Sequence, residues 1–195
     1  NQDIDIDSKF SAAHTSCPHH KRTKVVILVN RFGNDMGQKL SRFISELSNY
    51  RFTTERYPAS MHAMIDEAVA LKRIGLYEKS ADIYIGLTKA SRTVYSGIIM
   101  YLYKVVASAG YLAEGLFLLE LGKDMYDSDP SPLHIAAGIP SNFDVHIHKL
   151  LTACRSESGL FTYLQSISGN PRFILERDYL QMLEELADYV DQAQR

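Results

Sequence analysis

Residues 75–84 read Gly-Leu-Tyr-Glu-Lys-Ser-Ala-Asp-Ile-Tyr, and 35 residues after Gly75 the chain reads Gly110-Tyr111-Leu112-Ala113. Each glycine stands between two stretches whose apolar residues recur at helical spacing. Upstream of Gly75, Met61, Met64, Ile65, Ala68 and Leu71 fall on one helix face, and Ser60 is placed to cap it. Downstream, Ala81, Tyr84, Ile85 and Thr88 form the next face. Around Gly110 the same layout predicts helices over about residues 95–109 and 112–126. Glycine permits the tight turn that such a pair needs. One amphipathic helix cannot bury its stripe alone, whereas pairs stacked side by side bury all their stripes in one core.

Working outward, Met36, Leu40, Phe43, Ile44 and Leu47 predict an earlier helix, with Asn34 or Asp35 as its cap and Ser48-Asn49 as its end. Residues 50–57 read as an extended link or a short strand, closed by Pro58. Val25 to Val29 is ambiguous. Five aliphatic residues in a row suit a buried strand, but Val25, Leu28, Val29 and Phe32 also share one helix face ahead of Gly33. Past the second glycine, Asp127-Ser128-Asp129-Pro130-Ser131-Pro132 is a loop. Helices are then expected near 133–137, 145–155 and 160–167. A last one, at about 172–193, carries Tyr179, Met182, Leu183, Leu186, Tyr189 and Val190 on one side. The predicted fold is therefore all-α, with at least six helices, little or no sheet and a possible short strand near 24–30. The expected organisation is a flexible tail over 1–20, a basic helical hairpin (or small α/β element) over 21–57, and a helical-repeat domain over 58–195.

The stretch 75–84 resembles the turn and second helix of a tetratricopeptide repeat. That family places a small residue, a large one and another small one along its second helix. Ser80 and Tyr84 match the first two places, with a larger Leu87 at the third, and Gly115, Leu119 and Gly122 match all three in the next unit. On the first helices, Met64, Ala68 and Leu71, then Ile99, Leu102 and Val106, suit the packing positions. Glu67 stands where the family has an apolar residue, Tyr103 where it has a small one, and the period is 35 in place of 34. The resemblance covers 61–126 and implies an α–α superhelix of stacked antiparallel pairs. Residues 131–137, Ser-Pro-Leu-His-Ile-Ala-Ala, also resemble the start of an ankyrin repeat, without a second copy.

Composition narrows the function classes. Hydrophobic residues make up 46% and charged residues 23%, as in a globular protein, and the net charge of −2 gives no overall pull toward nucleic acid or an anionic membrane. The charge is uneven: residues 19–57 carry eight Lys/Arg against three Asp/Glu, and residues 58–195 carry twelve against seventeen. Two cysteines, Cys17 and Cys154, form no disulfide framework, so a reducing, cytoplasmic setting is expected. No apolar run approaches the roughly 18 residues that span a membrane.

Few residues suggest chemistry. His14, Cys17, His19 and His20 are the densest group of metal-ligand types, but they lack the second spaced pair that a zinc site uses, so no metal is expected. His146 and His148 would be splayed by a helix. Residues 31–37, Arg-Phe-Gly-Asn-Asp-Met-Gly, could cradle a phosphate only if 25–29 were a strand. Cys154 reads as a small core residue. No motif of nucleophilic, metal-dependent or nucleotide chemistry is present, so the expectation is a non-enzymatic scaffold without a cofactor. The tetratricopeptide resemblance implies a concave groove lined by Ile65, Val69, Lys72, Arg73, Met100 and Lys104, apolar with a basic rim, suited to a protein or peptide with acidic residues. Reversing the charges of Lys72, Arg73 and Lys104 is expected to leave stability nearly unchanged. Two alternatives stay open: a regulator whose basic N-terminal segment contacts nucleic acid, and a small α/β phosphate-binding enzyme using 24–57.

Overall fold

The computed structural model describes residues 35–128 and 141–194. The tail, the segment 24–30, the glycine pair at 33 and 37 as a phosphate loop, His14, Cys17, His19, His20 and the ankyrin-like stretch lie wholly or partly outside these residues.

Eight α-helices are described: α1 (Asp35–Glu46), α2 (His62–Arg73), α3 (Tyr77–Ser91), α4 (Ser96–Ser108), α5 (Leu112–Ser128), α6 (Asn142–Ala153), α7 (Glu157–Ser168) and α8 (Tyr179–Ala193). The all-α expectation holds. A two-stranded parallel sheet accompanies them, β1 (Arg51–Thr53) with β2 (Thr93–Tyr95), in the register Arg51↔Thr93, Phe52↔Val94 and Thr53↔Tyr95. Parallel strands need a long crossover, and the α2–α3 hairpin supplies it. The sequence left β2 unread, because three residues between two helices carry too little alternation to register. Its Val94 is completely buried.

Local chemistry sets the helix ends. Ser141, Ser156 and Asp178 accept from the amides of Asp144, Gly159 and Gln181, capping α6, α7 and α8. The turns at Gly75 and Gly110 share one bonding pattern. Gly75 N–H donates to Lys72 O and Leu76 N–H to Leu71 O, while Gly110 N–H donates to Ala107 O and Tyr111 N–H to Val106 O. Both glycines are left-handed, with φ of 84° and 89°. The ends of α2 and the start of α3 recur 35 residues later in α4 and α5.

The size departure at Tyr103 is absorbed across the same helix contact. In the first pair, Ala68 faces Ser80, whose hydroxyl donates to Ala68 O at 2.7 Å. In the second pair, the large Tyr103 faces Gly115, where an added Cβ would lie 3.3 Å from the ring. The larger ring at 103 is met by the smallest residue at 115, so the helices still approach closely.

The last helix begins later than its apolar pattern suggests. Residues 172–178 form a non-helical strap that carries the chain from α7 to α8. Phe173 is drawn into the core against Phe161, with ring centroids 5.3 Å apart. Arg177 donates to Gly110 O at 2.9 Å, forms a two-pronged pair with Glu185 and lies over the Tyr111 ring. These anchors outweigh the helix propensity of the segment, and Asp178 then starts α8.

One buried cluster joins α1 to the rest, so the described part of 21–57 packs on the helices that follow. Lys39 bridges α1 to Glu78 and Asp82 of α3 at 2.7 and 3.2 Å. Within the helical part, α4 packs on α3, α5 and α7, while α5 also meets α6 and α8.

The strap yields a stability prediction. Gly75→Ala and Gly110→Ala both force alanine to positive φ, at about 1–2 kcal/mol each. At Gly110 the new Cβ would also press on Met182 Sδ at 2.9 Å and Arg177 Cδ at 3.0 Å, whereas at Gly75 it meets only Asn170 Nδ2 at 3.5 Å. Urea unfolding should therefore rank Gly110→Ala as the more damaging, by about 1–3 kcal/mol. Equal losses would mean that the strap does not press on this turn.

Candidate functional site

The six residues read as groove-lining divide in two. Ile65 is core, only 3% exposed, and Lys72 is 8% exposed. A partner reaches neither in this packing. Val69, Met100 and Lys104 are half-buried, and Arg73 is exposed. On the neighbouring face, Met64 is 45% exposed where the family pattern would pack it. The helix is rotated so that Ile65, Ala68 and Lys72 turn inward.

The reason is the carboxyl end of α7. The Lys72 ammonium donates to Ile167 O at 2.6 Å, in the last turn of α7, where helix carbonyls are unpaired and the dipole is negative. Gly169 ends that helix in the left-handed conformation, and a Cβ built there would lie 3.5 Å from Arg73 Cγ. Burial, then Lys104, then Arg73 push the Lys72 ammonium down to about 8. Two of the cations named from the sequence, Lys104 and Arg73, thus act on the third, beside a helix end that the sequence did not place there.

A second set of side chains continues this face. Tyr103 and Tyr163 share a hydroxyl–hydroxyl bond of 2.6 Å, and Tyr163 is 2.9 Å from His146 Nδ1. The His146 ring also lies 5.7 Å from that of Tyr103 and 6.3 Å from that of Tyr163. Burial, Lys104 and Lys149, in that order, hold the imidazole below its usual range. Burial pushes the Tyr163 phenol up to about 12, and it keeps the Tyr103 phenol well above its ordinary value. Both phenols are therefore neutral donors at physiological pH. As expected of a helix, α6 splays its two histidines: His146 turns toward the tyrosines and His148 is exposed. Among the described residues no group of His, Cys, Asp and Glu could hold a metal ion.

Lys104 links the two sets, because it acts on both Lys72 and His146. Among the described residues, every charged group that acts on either of them is a cation. The resulting series runs Arg73, Lys72, Lys104, His146, Lys149. Its accessible members, Arg73, Lys104 and Lys149, can attract an anion. Its buried members offer no poised nucleophile. Burial raises the Cys154 thiol to about 11, and the Lys72 amine is spent on a carbonyl. Tyr163, His146 and Lys149 were not read from the sequence as parts of this site. The one available signal was Tyr103, an oversized residue at a position that the repeat pattern keeps small.

Elsewhere, one cation of the N-terminal basic surplus, Lys39, is paired internally with Glu78 and Asp82, as above, and Lys89 of α3 meets Glu46 of α1 at 3.3 Å. No described helix is long and apolar enough to cross a membrane. No family model, curated protein or solved structure matches the chain.

Proposed function

We propose that this protein is a non-enzymatic helical scaffold that binds an acidic peptide segment of a partner protein. The docking face is formed by α2, α4 and α6, with Arg73, Lys104 and Lys149 as the accessible cations and Val69 and Met100 as apolar contacts. The carrying observation is the all-cation environment of Lys72 and His146. Like charges brought together without a carboxylate disfavour one another, and an anionic ligand relieves this. The recurrence of helix ends and glycine turns at a 35-residue interval supports a tetratricopeptide-like reading of residues 61–126. In that reading α7 lies against the first helices of the pairs, so the face is shallower than an open groove.

A glutamate hexapeptide is the direct probe. It should bind with an affinity that falls steeply as salt rises, because exposed charges carry the encounter. The triple variant Arg73→Glu, Lys104→Glu, Lys149→Glu should bind at least about tenfold more weakly, with the salt dependence lost. Thermal unfolding should change little, since none of the three is buried. Equal affinity of the variant at low salt sinks the proposal. A duplex DNA of mixed sequence serves as the contrast. Tight, salt-sensitive DNA binding that survives the triple variant would favour the N-terminal basic segment as a nucleic-acid contact.

A further inference from the structure

Two groups of the cationic face titrate within reach of neutral pH, the Lys72 ammonium, held down to about 8, and the His146 imidazole, held below its usual range; the surroundings of His146 tie its charge to the ligand. His146 of α6 contacts Tyr103 of α4 and Tyr163 of α7, and Lys104 of α4 and Lys149 of its own helix act on it electrostatically. In the Nε2–H tautomer Tyr103 donates to Tyr163 and Tyr163 donates to His146 Nδ1; in the Nδ1–H tautomer both bonds run the other way. From the first tautomer, adding a proton at Nδ1 reverses both bonds, because Nδ1 must then donate to Tyr163 and Tyr163 to Tyr103. It also places a third positive charge beside two lysines. The free protein therefore resists protonation at this site for three reasons: burial first, the charges of Lys104 and Lys149 second, and, in the first tautomer, the reversal of the bonds.

An acidic ligand on Lys104 and Lys149 removes the second reason. We propose that His146 is the proton-linked element of this face: docking of an acidic peptide draws a proton onto His146, and the face therefore grips acidic segments more tightly as pH falls. The inference rests on the docking surface proposed above. The sign follows from linkage. A group that binds protons better in the complex than in the free protein makes affinity rise as pH drops through its range. The effect ends near pH 5, where the ligand's own carboxylates, with ordinary values of about 4.3, begin to protonate. A change of one unit in the His146 pKa on binding corresponds to about a tenfold change in affinity.

The test is calorimetric titration of the whole chain with the glutamate hexapeptide between pH 5.5 and 8, in two buffers of different protonation enthalpy. The wild type should take up a fraction of a proton per complex at the acid end of this range, and its affinity should rise up to about tenfold across it. His146→Gln should bind as the wild type does at pH 8, keep only the proton uptake that Lys72 contributes near pH 8, and lose the further rise in affinity at the acid end of the range. Tyr163→Phe, which removes the hydroxyl from the chain and keeps the ring, should move the profile to higher pH. If His146→Gln does not fold, the His146 imidazole resonance of the wild type decides: its titration midpoint should rise when the peptide is added, and an unmoved midpoint overturns the proposal. Binding with a pH profile unchanged in His146→Gln also overturns it and leaves the docking surface standing. Failure of the wild type to bind the peptide at any pH removes the surface, and the linkage with it.

Discussion

Lys72→Glu should destabilise the protein by about 3–5 kcal/mol, the largest loss expected of any surface-type charge change here. The substitution buries a carboxylate against the carbonyl end of α7, beside Ile167 O, where Lys72 now donates. Repulsion by the helix terminus adds to the cost of desolvation. Arg73→Glu and Lys104→Glu, at more exposed positions, should each stay within about 0.5 kcal/mol. Reversing all three charges therefore cannot leave stability unchanged, contrary to the expectation from spacing alone, and Lys72 accounts for nearly all of the loss. Urea unfolding of the three single variants checks this, and equal losses across them would refute the buried role of Lys72.

The same residue predicts a pH signature. Its ammonium is held down to about 8 in the folded state, against 10.5 ordinarily, mainly by burial. The unfolded chain then binds more protons between these values, so stability should rise with pH above about 8. One proton of difference gives at most about 1.4 kcal/mol per pH unit. Lys72→Met removes this slope. Subtracting its profile from that of the wild type between pH 8 and 9.5 isolates Lys72 from the tyrosines, whose raised values oppose it only near pH 10 and above.

Gly122→Ala is the second large effect. The Phe143 ring of α6 lies so close to Gly122 of α5 that an added Cβ would fall within the space of the ring. Phe143 is itself almost wholly buried, and its ring also meets Tyr126, with centroids 5.8 Å apart. It therefore cannot swing into solvent. The expected loss is about 1–3 kcal/mol, despite the gain of up to about 1 kcal/mol in helix propensity. Gly86→Ala is the matched control, because a Cβ there meets nothing within 4 Å and Gly86 lies inside α3. That change should stabilise by about 0.5–1 kcal/mol. Thermal unfolding that moved both variants in the same direction would contradict this account of the α5–α6 contact.

The sequence by itself determined the all-α class and most helix positions. The 3.6-residue stripes from Met36 to Val190 state which face each helix must bury, and Gly75 and Gly110 state where the pairs turn, because left-handed backbone is cheap only for glycine. Tertiary structure decided what those faces meet. A periodic stripe is silent on its partner, so nothing near Lys72 announces that the end of α7 will take its ammonium, 95 residues further along the chain. Nor does the spacing of Tyr103, His146 and Tyr163 indicate that three helices will join them into one bonded chain. The start of α8 differs for the same reason. Within 172–178 the local signal is Asp178, whose carboxylate caps α8, and the docking of Phe173 and Arg177 on distant partners holds the residues before it out of the helix. Local interactions select elements, because they act within a few residues. The charge state of a lysine or a histidine depends on what long-range packing places around it, and that is set only when the chain has closed on itself.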